Sequence, residues 1–340
     1  MRLIEKVWFK KHQAKYWLVP LLLPFTGLFY LLSSARRLAF RLSFLKSYQV
    51  DKPVIVVGNI GVGGNGKTPV VVHLVELAKK LGLKPGVISR GYGGTAEIYP
   101  YLLDESSTSS QAGDEPVLIY QRCNVPIVVG ADRVANAQML IEQGCNIIIS
   151  DDGLQHYRLQ RDLEFVVIDG KRLFGNGLLL PAGPLREGIW RLQKSDMLIY
   201  NGSKPNSHAL LSDKSLQMAL AASELIHIRT NEKVSLTNFL KQWQTVNAIA
   251  GIGDPQRFFD TLVELGFNIA RQQGYIDHKD FTVDDFNQFK TDLPLLMTEK
   301  DAVKCQAFAQ ENWWYLPVNA QFSEHDNLAL IQKIQAIAVQ

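Results

Sequence analysis

One stretch of this 340-residue chain has chemistry in its spacing: Gly61-Val62-Gly63-Gly64-Asn65-Gly66-Lys67-Thr68 meets the phosphate-loop pattern GxxxxGK[ST] in full. Closely spaced glycines let successive backbone N–H groups turn toward phosphate oxygens, Lys67 reaches the transferred phosphoryl group, and Thr68 supplies a hydroxyl ligand for Mg²⁺. A Gly-rich turn alone would need none of this order. The apolar run Val54–Val57 precedes the loop and a helical pattern over Thr68–Leu81 follows it, so the loop joins a buried strand to a helix N-terminus, where anions are favoured.

Such a loop needs an acid beside the metal, at the end of a neighbouring buried strand. Asn146-Ile-Ile-Ile-Ser150 runs into Asp151 and Asp152, which meets that need. Adjacent acids after a strand also make turns and helix caps, and the upstream phosphate loop favours the metal reading. A GTP site would add an NKxD-type element after a later strand. The nearest strings, Gln193-Lys194-Ser195-Asp196 and Lys300-Asp301, fall before a strand and at a helix start, which leaves ATP as the expected nucleotide.

The elements that must hold these groups are legible as short apolar runs: Val54–Val57, Gly86–Ser89, Val125–Val129, Asn146–Ser150, Phe165–Ile168 and Met197–Tyr200. With helical patterns between them, at Thr68–Leu81 and Arg133–Gln143, they predict a doubly wound, mostly parallel α/β sheet of the P-loop NTPase kind. A polar stretch, Asn201–Lys214, loosens the pattern. A second series then follows: Val246–Ala250, helical Pro255–Leu265, Leu295–Met297, helical Lys300–Phe308, Trp313–Leu316 and a final helix near Leu328–Val339. The expected organisation is a basic apolar segment over residues 1–45, a nucleotide-binding domain over 46–230, and a smaller α/β domain over 231–340 that closes over the cleft.

Charge is divided unevenly. The overall balance is +3, but residues 1–50 hold nine Lys or Arg against Glu5, a local +8 that leaves −5 for the rest. That distribution argues against a nucleic-acid surface and for an anionic partner at the N-terminus. The basic ends enclose an uncharged stretch, Tyr16–Ala35, broken by Pro20, Pro24 and Gly27. It reads as a segment lying in a membrane interface, its cations on anionic lipid headgroups; a spanning helix, a signal peptide and a core helix are the alternatives. Cys123, Cys145 and Cys305 lack metal-ligand or CxxC spacing, which fits a reducing cytosolic setting.

Several segments taken together resemble the lipid A disaccharide kinases, or tetraacyldisaccharide 4′-kinases. They are Ser89-Arg90-Gly91-Tyr92-Gly93, Gly113-Asp114-Glu115-Pro116, Asp151-Asp152-Gly153-Leu154-Gln155-His156, Leu180-Pro181-Ala182-Gly183-Pro184-Leu185-Arg186-Glu187, Asp277-His278 and Thr298-Glu299-Lys300-Asp301. The resemblance spans nearly the whole chain and implies transfer of the ATP γ-phosphoryl group to the 4′-hydroxyl of a tetraacylated glucosamine disaccharide 1-phosphate. It also implies work at the cytoplasmic face of a bacterial inner membrane, with no obligate protein partner. On it, the catalytic acid and imidazole fall on Asp114 and His278, beside Lys67. Arg90, Arg186 and Glu187 join Gly61, Gly63, Gly64, Asn65, Gly66, Lys67 and Thr68 around the nucleotide, and Thr68, Asp151 and Asp152 face Mg²⁺. Leu154 stands where the family often has Phe, and Lys279 where it often has a second His, so no role is given to residue 279.

Each of these roles has a plainer counterpart. Gly-Asp-Glu-Pro is good turn chemistry, a lone His is most often structural, and the two arginines and Glu187 can serve as surface or orienting groups. A membrane-associated P-loop ATPase that uses water and no lipid acceptor is the alternative activity, and a nucleotide-sensing adaptor without turnover is a third reading.

Overall fold

The computed structural model describes residues 3–204, 214–289 and 292–338. Two N-terminal helices, α1 (Leu3–Phe9) and α2 (Lys15–Arg41), lead into an alternating series: β1 (Val54–Gly58), α3 (Lys67–Lys80), β2 (Pro85–Ser89), β3 (Tyr101–Leu102), α4 (Ser109–Ala112) and α5 (Asp114–Cys123). It continues through β4 (Ile127–Val129), α6 (Arg133–Glu142), β5 (Ile147–Asp151), β6 (Leu163–Asp169), β7 (Met197–Asn201) and β8 (Ser215–Ala221). A second series comprises β9 (Glu224–His227), β10 (Lys233–Ser235), α7 (Leu236–Gln242), β11 (Thr245–Ala250), α8 (Pro255–Glu264) and β12 (Asn268–Gly274). After β13 (Leu295–Thr298), α9 (Glu299–Cys305) and β14 (Trp313–Leu316) come β15 (Asn319–Phe322) and α10 (Glu324–Ala338).

Nine strands form the first sheet in the order β15-β8-β7-β6-β1-β5-β2-β4-β3, and all its interior pairings from β8 to β4 are parallel. β1 is buried at every residue because both faces of the sheet are covered. Its alternate side chains enter two cores, Ile55 and Val57 with the buried face of α3, Val54 and Val56 with Ala137 and Leu140 of α6. In α3, Val70, Val71, Leu74, Val75, Leu77 and Ala78 recur at helical spacing on the sheet side. Lys79 and Lys80 in the last turn oppose the helix dipole, and Gly82 at φ 76° carries the chain into the next strand. β5 lies on one side of β1 and β6 on the other, so the strand order reverses at β1 and opens a crevice at its carboxyl end.

The smaller sheet, β10-β9-β14-β13-β11-β12, is parallel from β14 to β12. Two differences from the sequence pattern stand out. First, the end of the stretch read as the second domain returns to the first sheet: β15 pairs with β8, and Leu330, Ile334 and Ile337 of α10 enter the α3-side core. β15 is a short edge strand and β8, held between β7 and β15, is of mixed burial, so what stabilises them is pairing rather than a long apolar run. Second, Pro20 and Pro24 do not interrupt the N-terminal segment, which is one 27-residue helix. Pro20 forfeits a bond to Tyr16 in the first turn, and the two rings sit one turn apart on the exposed side. The Asn201–Lys214 stretch falls largely outside the described residues, as does Val339.

Candidate active site

Backbone geometry accounts for the loop glycines that matter most. Gly63 (φ 106°) and Gly66 (φ 90°) occupy the left-handed region, and a Cβ on Gly66 would meet Asn201 Nδ2 at 2.7 Å. Asn201, at the carboxyl end of β7, donates to the Asn65 carbonyl at 3.2 Å and so pins the loop from below. Gly61 bridges to Leu185, tying the loop to the Leu180–Glu187 segment. Lys67 and Thr68 open α3, with the Lys67 ammonium 3.3 Å from Asp152 and 3.4 Å from Asn59 Oδ1.

Asp151 ends β5 in register with Val57 of β1, which brings the acid to the sheet edge from which the loop departs. It is 1% exposed, and neither carboxylate oxygen has a hydrogen-bond partner. Burial, then Glu115, raises its pKa to about 7. Burial also opposes the charge on Asp152, but Lys67 and Arg186 outweigh it and hold that carboxyl below the usual range. Two adjacent acids thus have opposite tendencies. An orphaned buried carboxylate beside a threonine hydroxyl and a phosphate loop fits Mg²⁺, which keeps few protein ligands and leans on substrate phosphates. Among the described residues no three His, Cys, Asp or Glu side chains gather into a metal cage.

Asp151→Asn tests this directly. Transfer should fall about 10²-fold or more, since a charge ligand for the metal is lost. Because the folded-state pKa lies above the unfolded one, the buried charge destabilises the metal-free protein increasingly as pH rises from about 4 through about 7. The variant should therefore melt higher than the parent at pH 8 without Mg²⁺ and equally at pH 4. A lower melting point at pH 8 would contradict the assignment.

Across the cleft, Asp114 opens α5 and is buried, while His278 follows β12 in the smaller half, with φ 58°. Nδ1 of His278 lies 3.2 Å from Asp114 Oδ2, joining residues 164 positions apart. A non-glycine residue in the left-handed region is strained, and here the strain aims an imidazole. Tyr92 packs on that ring at 5.2 Å between centroids.

The remaining sequence candidates divide. Arg186 donates to Asp152 at 3.0 Å, and Arg90 lines the same cleft from the end of β2. Glu187 also lines this cleft; it is 2% exposed and accepts from Gln155 at 2.9 Å and Tyr157 at 2.7 Å. Its carboxylate is consumed in orienting protein groups. Sequence reasoning missed Asn201 and Arg133, whose guanidinium donates to the Asp151 carbonyl at 3.0 Å. Their only sequence signal was position, at the end of a predicted strand and at the start of a predicted helix beside the same sheet edge.

The loop from Val62 to Thr68, with Asp151, Arg90, Arg186 and His278, lines one cleft of about 2240 Å³, which reaches to Phe29, Leu32, Arg36 and Arg37 of α2. That exceeds the few hundred to 1,000 Å³ typical of a single small-molecule pocket. The smaller half approaches closely, for Gly253 lies against Gly64, and Arg172 pairs with Asp254 at 2.5 Å.

A phosphate loop at a topological switch point, with an orphaned acid below it and a carboxylate–imidazole pair across the cleft, defines a P-loop protein that holds a nucleotide beside a second reactant. Comparison with known proteins narrows the class. The chain belongs to the tetraacyldisaccharide-1-P 4′-kinase family, whose model matches residues 18–336. It is 64% identical over its whole length to the tetraacyldisaccharide 4′-kinase of Colwellia psychrerythraea, covering 99% of that protein, and 48% identical to that of Tolumonas auensis, with 98% of each covered. A crystal structure of the Aquifex aeolicus family member in complex with ATP superposes with a TM-score of 0.79 at 29% identity, covering 94% of this chain and 99% of that one.

Proposed function

We infer that this protein transfers the γ-phosphoryl group of ATP to the 4′-hydroxyl of a tetraacylated glucosamine disaccharide 1-phosphate, a step of lipid A biosynthesis. The observation that carries this reading is the meeting of Asp114 with His278, which puts a proton-accepting pair at the wall of the cleft that His278 shares with the phosphate loop. The 4′-oxygen forms a bond to Pγ as the Pγ–O bond to ADP breaks, and the hydroxyl proton passes to the Asp114–His278 pair. Lys67 and the loop N–H groups stabilise charge on the transferring group, and Arg90 and Arg186 stand ready for phosphate oxygens. Thr68 and Asp151, with Asp152 beside them, would hold Mg²⁺, which supplies charge neutralisation on the β- and γ-phosphates.

The acyl chains keep such an acceptor in a bilayer, and α2 suits that setting. Within its 27 residues an 18-residue window has a mean hydropathy of 1.7, and Thr26 is its one buried residue. Thr26 accepts from the Ala182 N–H at 3.0 Å, so the helix is seated on the body at its middle and favours lying along the interface over leaving it. In this reading residues 1–45 dock to anionic lipid at the cytoplasmic face of the inner membrane, where ATP is available. The nine-stranded half, 46–221 with the returning 319–338, binds nucleotide, and the smaller sheet, β9 to β14, closes the cleft.

Label from γ-³²P ATP should appear in the disaccharide lipid in mixed micelles. ADP release at the same rate without lipid would favour the ATPase alternative. Deleting residues 1–45 should free the protein from anionic vesicles while ATP binding persists, since Tyr48 still pairs with Arg158 and Gln160 ahead of β1. A truncated protein that still sediments with those vesicles would place the membrane contact elsewhere.

A further inference from the structure

The Thr298-Glu299-Lys300-Asp301 string borders the cleft, and its side chains have protein partners. Thr298 caps α9, Glu299 pairs with Arg122 of α5 at 2.8 Å, and Asp301 accepts from the Gly251 N–H at 2.9 Å and pairs with Lys304 at 3.1 Å. Lys300 remains, and it points at the pair just described. Its ammonium lies 3.3 Å from His278 Nε2, 3.0 Å from Asp277 Oδ1 and 3.7 Å from Glu115.

We propose that Lys300 is the positioning residue of the Asp114–His278 pair, donating to His278 Nε2 and thereby fixing the ring proton on Nδ1, aimed at Asp114. An ammonium has donors and no acceptor, so Nε2 must present its lone pair. A neutral imidazole then carries its single proton on Nδ1, and the 3.2 Å contact with Asp114 Oδ2 becomes a bond donated by the ring. Burial alone would discharge Lys300, but Glu115 and Asp277 outweigh it and raise its pKa, keeping the donor charged. Without that ammonium, Nε2 is left 3.8 Å from Asp277 Oδ1, an acceptor that draws the proton to Nε2. Nδ1 would then oppose a carboxylate lone pair to lone pair. Lys300 also closes Nε2 to the acceptor's proton.

The test uses full-length protein in detergent with ¹⁵N-labelled histidine, the His278 signals assigned by their loss in His278→Ala. Wild type should show the neutral Nδ1–H tautomer. Lys300→Met should lose it, with kcat down about tenfold or more and KM for ATP within about twofold. Lys300→Arg, which keeps a charged donor, should recover the tautomer. A wild-type Nε2–H signal, or a spectrum indifferent to Lys300→Met, overturns the proposal. The kinetic arm rests on the catalytic reading of the pair. A tautomer that responds while kcat stays within twofold overturns the positioning role, and if His278→Ala also retains kcat, it is the reading of the pair that fails.

Discussion

Lys67→Ala is expected to lower phosphoryl transfer by about 10³-fold or more while leaving the fold intact, because it removes a charge that acts chiefly on the transferring group. Two features make the separation clean. The Lys67–Asp152 contact is a single ion pair at 3.3 Å, and no core packing depends on it. Asp152 also keeps its bond from Arg186, so no carboxylate is stranded. Lys67→Arg should not restore the rate, since a planar fork cannot occupy the space of a point ammonium at the start of α3. Circular dichroism, melting temperature and label transfer measured together decide the matter. Turnover within a few-fold of the parent would remove the loop lysine from the mechanism.

Asp114→Ala and His278→Ala should each lower kcat by about 10²-fold or more, the range for loss of general-base catalysis, with little change in KM for ATP. Their 3.2 Å contact means that neither acts alone, so the double variant should be hardly slower than the slower single one. Multiplicative losses would show independent roles. A raised KM for ATP as the main effect would turn both into nucleotide contacts. Asp114 is buried at a helix start, so a melting curve should accompany each rate.

Legibility in the sequence followed locality. The phosphate loop could be read because its glycines, lysine and threonine are contiguous and act through nearby backbone, and the parallel strands because burial on both faces demands uninterrupted apolar runs such as Val54–Val57. Asp151 could be read as the end of such a run. Contacts made only by folding were out of reach: Asn201 meets Asn65 across 136 positions, and Lys300 meets His278 through the crossing of two halves. The family resemblance pointed to Asp114 and His278, but nothing in their sequence neighbourhoods pairs them. The partners of Glu187 were out of reach for a related reason. Its neighbour Arg186 does face Asp152, but consecutive residues of an extended segment point opposite ways, and Glu187 turns inward to Gln155 and Tyr157. Pro20 and Pro24 misled because their cost depends on whether the lost bonds lie inside a packed helix or on an open face.

The return of β15 and α10 to the first sheet gives the smaller half two strands of attachment: one where β8 leaves for β9, the other where β14 leaves for β15. A lobe tethered once can swivel in any direction, whereas one tethered twice can only swing, like a door, about the line through its two tethers. In this structure that half already holds His278 against Asp114 and Gly253 against Gly64. The contact with the loop and the proton-accepting pair thus hang on the same two hinges, and a change that shifts one shifts the other.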